Sequence, residues 1–171
     1  MDLFHKAIGI QDKVIKFVSA VVKDFPEDKL EVKIGSSKTP LEIMNHILTG
    51  HYHTMQKANS QLSFKEFSSS TETFIEILHK QLQEYKEKGE EELSQKWFAP
   101  NQNKGVASIP WGIIRGSTHS LHHASQLIVF RHIYGLERLD ISNEISWSHI
   151  SNLITEFHYQ NEPKNNGLLS I

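Results

Sequence analysis

The chain has 171 residues, the length of one domain, with 18 Lys+Arg against 20 Asp+Glu and a formal charge of −2. That balance excludes a strongly basic nucleic-acid surface, while 38% hydrophobic and 22% charged residues match ordinary soluble globular usage. Eleven histidines and no cysteine exclude disulfides, zinc ribbons, thiolate nucleophiles and cysteine-held iron–sulfur clusters, leaving imidazole, carboxylate and water for any metal.

Leu3, Ile8, Val14, Ile15, Val18, Val21 and Val22 recur at helical spacing and predict a first amphipathic helix over residues 2–23. Phe25-Pro26 stops it, because a residue before proline leaves the α region. A loop then runs to Lys38. Thr39-Pro40-Leu41-Glu42 reads as N-cap, first-turn proline and capping-box glutamate, opening a second helix to about Ala58 in which Gly50 is a weak helix former. Ser69-Ser70-Thr71-Glu72 offers a second capping box before Phe74, Ile75, Ile77, Leu78, Leu82 and Tyr85. The charge run Glu84–Glu92 reads as a solvated helix end. Trp97–Ser108 reads as polar and turn-like.

A fourth helix is expected from Pro110 to Tyr134 with Gly135 as its C-terminal cap. A shorter fifth carries Ile150, Leu153, Ile154 and Phe157 behind Ser146 or Ser148. With no convincing strand pattern, the fold class is all-α: one four-helix-bundle domain over residues 1–160, with a short extra C-terminal helix and a flexible tail at 161–171. No apolar stretch reaches the ~18 residues that cross a bilayer and no signal peptide opens the chain, so the expected location is cytoplasmic, with no membrane partner.

The chemistry concentrates on the fourth helix. His119 and His123 lie four residues apart, so both rings reach one metal; His122 lies on the other side of His119, and spacing alone permits either pair. Arg115 and Gln126 fall on the same stripe and mark it as a polar pocket wall. A third ligand must come from a facing helix, where His46 sits between Ile43 and Ile47, His53 reads as more exposed, and His51 points elsewhere. Glu42 belongs to the capping box and Trp111 to the core. His132, His149 and His158 have no spaced partners, and no phosphate loop or nucleophile elbow is present.

Thr39-Pro40-Leu41-Glu42-Ile43-Met44-Asn45-His46, then Pro110-Trp111-Gly112 and His119-Ser120-Leu121-His122-His123-Ala124-Ser125-Gln126-Leu127, resemble the DinB-like superfamily of DinB/YfiT-type four-helix metalloenzymes over about residues 1–137. The resemblance implies His46, His119 and His123 as ligands of a divalent metal, with Arg115, His122 and Gln126 as possible pocket residues. Nitrogen donors alone suit zinc, nickel, iron or cobalt. Ala124-Ser125 replaces the Arg-Gly common in the family between the last ligand and the glutamine, which removes whatever contact that arginine makes. The stretch after Gly135 also runs longer than in a minimal member.

By that resemblance the function is metal-dependent transfer of a low-molecular-weight thiol, such as bacillithiol, to a small-molecule electrophile by a homodimer. The alternative is a non-catalytic, metal-binding, stress-related dimeric helical module, and a third reading is a metal-free bundle. Because histidine coordinates only when neutral, metal release is expected as pH falls through ~6 to 5.

Overall fold

A computed structural model describes residues 2–58, 67–93, 96–98 and 106–161. The Asp2 carboxylate accepts from the His5 amide at 2.9 Å and so caps the first helix, α1 (Leu3–Val22), satisfying a donor the helix cannot. The second helix, α2 (Pro40–Ala58), begins with the expected reciprocal box. The Thr39 amide donates to Glu42 Oε2 at 2.7 Å and the Glu42 amide donates to Thr39 Oγ1 at 3.1 Å.

The third helix, α3 (Thr71–Leu93), is capped one residue later than Ser69 suggested. Ser70 Oγ accepts from the Thr73 amide at 3.1 Å, and Glu27 reaches across the chain to accept from the Thr71 amide at 3.2 Å and its hydroxyl at 2.7 Å. A carboxylate there also meets the positive end of the helix dipole.

The stretch read as turn-like contains two short antiparallel strands, β1 (Lys96–Phe98) and β2 (Val106–Ser108), paired Trp97 to Ala107. Three residues are too few for alternation to show in a sequence. The fourth helix, α4 (Ile109–Ile133), follows β2 directly and ends as expected at Gly135, whose φ is +67°. The Gly135 amide donates to the His132 carbonyl at 3.2 Å and the Leu136 amide to the Arg131 carbonyl at 3.0 Å, a complete Schellman closure. The last helix, α5 (Trp147–Asn161), is capped by Ser146, whose Oγ accepts from the His149 amide at 3.3 Å. Asn161 closes that helix instead of opening a tail, and residues 162–171 lie outside the described residues.

In the resulting four-helix bundle α4 packs along both α1 and α2, and α3 packs along both from the other side. Helices α1 and α2 are thus diagonal, as are α3 and α4, and α5 covers the α1–α4 seam. Phe74, Ile15, Met44, Ile47, Leu78, Ile113 and Leu127 are among the fully buried side chains. Arg131 is also buried (4% exposed) at one end of the bundle. It donates to the Val21 carbonyl at 3.0 Å, to the Glu137 carbonyl at 2.9 Å and in bidentate fashion to Asp24, tying the ends of α1 and α4 together. Among the described residues no helix is long and apolar enough to cross a membrane.

Candidate metal centre

Helix α4 faces α2 through His119 and His123, and α2 answers with His46. The Nε2 atoms converge: His119 lies 3.2 Å from His46 and 3.2 Å from His123, and one nitrogen from each ring lies within 4.8 Å of the others. Two imidazoles bound to one ion at about 2.0–2.1 Å and a tetrahedral angle stand about 3.3 Å apart, so the donor set fits a single cation. The rings are mutually inclined, His46 against His119 at 55° and against His123 at 89°.

Each α4 ring is oriented differently. His123 Nδ1 lies 2.8 Å from Gln126 Oε1, which accepts only a hydrogen, so Nδ1 carries the proton and Nε2 presents its lone pair. His119 Nδ1 is buried without a hydrogen-bond partner among the described residues, and its ring is placed by packing on Gly50 of α2. A Cβ at position 50 would stand 2.7 Å from His119 Nδ1 and 2.9 Å from Cε1. The glycine that weakened α2 in the sequence is the gap that admits a ligand ring. A glycine in mid-helix opposite a ligand helix is the signal that could have revealed it.

The electrostatics favour neutral imidazoles. Burial, then the neighbouring His123, His46, His122 and Lys38, push His119 down to about 4. Burial, then Lys38 and His123, lower His46. Burial also lowers His123, against a raising effect of the Gln126 bond. All three therefore stand as free bases at neutral pH, the form that binds a cation.

The remaining predicted positions divide. Gln126 touches the centre through His123. His122 is exposed, its ring centroid 5.0 Å from that of His123. Arg115 is exposed on α4 and lines neither of the two cavities that flank the triad. One cavity, about 570 Å³, is of mixed character, with Leu41 and Phe67 beside polar side chains, and reaches His46 past Glu42, Asn45, Thr49 and Lys38. Asn45 builds its wall, its amide donating to the Ser68 carbonyl at 3.0 Å and accepting from the Ser68 amide at 2.8 Å. The other, about 450 Å³, is apolar, lined by Ile34, Ile43, Val129, Phe130 and Ile133, and reaches His123 and Gln126.

His51 does point elsewhere, into the bundle centre, where burial pushes it down to about 4. Its Nε2 lies 2.6 Å from Ser120 Oγ, which donates on to the Gly116 carbonyl at 2.9 Å. The Gln11 amide nitrogen of α1 lies 3.1 Å from its Nε2 and 3.3 Å from its Nδ1, and Gln11 bonds Ser117 of α4 in turn. Neutral His51 thus joins α1, α2 and α4 in one satisfied polar network beside the triad.

No family model and no curated protein matches the sequence. Among solved structures, the chain is similar to a DinB-like protein, YjoA of Bacillus subtilis, with a TM-score of 0.59 over 82% of this chain and 96% of that one at 15% identity. The fold is therefore DinB-like, as the sequence resemblance implied, and the histidine triad in it could hold a metal ion.

Proposed function

We propose that the protein is a divalent-metal enzyme that joins a low-molecular-weight thiol to a small electrophile, with His46, His119 and His123 as the metal ligands. The observation that carries this reading is the convergence of three Nε2 donors between two cavities. Three protein nitrogens leave further coordination positions for a substrate, as catalytic sites do and closed structural sites do not.

When bound, a divalent cation lowers the pKa of a coordinated thiol and holds it as a thiolate at neutral pH. The chain supplies the rest. Gln126 fixes the tautomer of His123, Gly50 sets the plane of His119, and the flanking cavities give each reactant its own approach. The thiolate sulfur forms a bond to carbon while the leaving group departs with its bonding pair, and the thiol proton passes to solvent. The cysteine-free chain cannot itself provide that sulfur.

The test is conjugation of monochlorobimane to bacillithiol by untagged, metal-loaded protein. Conjugation that stops with chelator and in His119→Ala/His123→Ala is expected. A metal-loaded protein inert with every common thiol would instead be a metal-binding module.

A further inference from the structure

Lys38 stands at the rim shared by the two cavities, and its backbone is held from both sides. Before it, the Ile34–Ser37 turn closes through the Ser37 amide to the Ile34 carbonyl at 3.2 Å, with Gly35 at φ +60°. After it, the Thr39–Glu42 capping box starts α2. The exposed ammonium has no hydrogen-bond or ion-pair partner among the described residues. The nearby Glu42 carboxylate is already committed to the Thr39 amide.

In the apolar cavity Lys38 is the one formally charged group; its other polar lining is Ser37, Gln126 and His123. Val129 and Ile133, each 55% exposed, form the outer wall of apolar surface that water covers poorly. A volume of about 450 Å³ suits a small molecule, and an apolar body with one convergent charge is the usual make-up of such a site. Lysine binds anions as a compact point charge.

From this arrangement we infer that the His123-side cavity takes a small amphiphilic anion, its negative group on Lys38 and its apolar body against Ile34, Ile43, Val129 and Ile133. This deepens the metal-enzyme reading by naming the class of the second reactant. Lys38 is its specificity residue, selecting by charge, while the side chains of α4 select by shape. Lys38 and His123 line the same cavity, which puts the ammonium on the side of the centre where that reactant is consumed.

Calorimetric titration of the full chain, metal-free and zinc-loaded, with octanoate and with octylammonium tests this directly. One octanoate per chain is expected, bound at least about fivefold more tightly than octylammonium, the discrimination one partly exposed charge provides. Lys38→Ala should erase the preference, Lys38→Glu should invert it, and Val129→Trp, a change at an exposed position, should block both ligands. Equal affinity for the two chains, no binding of either, or indifference to these substitutions overturns the inference. Metal content measured on the same samples keeps the two claims apart. Protein that binds octanoate through Lys38 but no metal refutes only the metal centre; protein that binds metal but ignores charge refutes only this inference.

Discussion

Gly50→Ala is the sharpest perturbation of the centre, because it adds one methyl group and replaces no ligand residue. The new Cβ would stand 2.7 Å from His119 Nδ1, where ordinary contact begins at 3.4 Å, so the ring must retreat by 0.7 Å (3.4 less 2.7). Metal–ligand distances tolerate only about 0.2 Å. The retreat also breaks the 3.2 Å spacing of His119 Nε2 from both His46 and His123. Losing the support of one ligand costs about 10–100-fold in metal affinity.

Stability should respond differently. Alanine gains about 1 kcal/mol of helix propensity over glycine, and the crowding costs about 1–3 kcal/mol, so the metal-free variant should lie within about 2 kcal/mol of the parent. Gly9→Ala is the matched control: a Cβ there meets nothing within 4 Å, so it should stabilise by about 1 kcal/mol with metal affinity unchanged. Competition titration against a chromogenic zinc chelator and urea unfolding followed by circular dichroism give both numbers. A folded Gly50→Ala protein with parental zinc affinity would refute the packing argument.

Further perturbations separate the parts of the account. Gln126→Leu removes the acceptor that holds His123 Nδ1–H and should weaken metal binding about tenfold in the same titration while leaving the helical spectrum intact. In the metal-free protein His51 stays neutral when folded down to about 4, whereas unfolded histidine takes a proton from about 6.5. Its contribution is therefore intact above pH 6.5 and lost as pH falls toward about 4, by up to about 3 kcal/mol, with His119 acting in the same direction. Urea unfolding at pH 7, 6 and 5 should show that slope, and His51→Gln should flatten it; an unchanged slope contradicts the buried neutral imidazole. The same lowered values move metal release below the ~6 to 5 expected of ordinary imidazoles, because protons compete less well for these rings. Zinc content after dialysis across pH 7 to 3 reads this, and release complete by pH 5 would contradict it. Arg131→Met strips the Val21 and Glu137 carbonyls of their donor and should cost about 2 kcal/mol, whereas Asp24→Asn, at a mostly exposed carboxylate, should cost well under that.

The helices were legible because their ends are written locally. Thr39-Pro40 and Glu42, Ser146 and Gly135 each act within one turn of their own position. Ser70 supplanted Ser69 because the distant Glu27 completes that cap, a contact no local window contains. The paired strands escaped because their order comes from pairing across a loop rather than from a repeat in either segment. At the centre, spacing left His122 and His123 equivalent beside His119. The choice depends on where α2 lies: the face toward it buries His123 to 8% exposure and leaves His122 in solvent. Gly50 and Lys38 went unread for the same reason, since each matters only through a residue far away in the chain.

Every chemical step above depends on His46, His119 and His123 binding one ion. Elemental analysis of protein purified without an affinity tag and reconstituted with zinc, nickel, iron or cobalt tests that dependence most directly. The account predicts close to one divalent ion per chain, lost in His119→Ala/His123→Ala while the helical spectrum persists. A folded parent protein that retains no metal after reconstitution, or a double variant that keeps its ion, would contradict it.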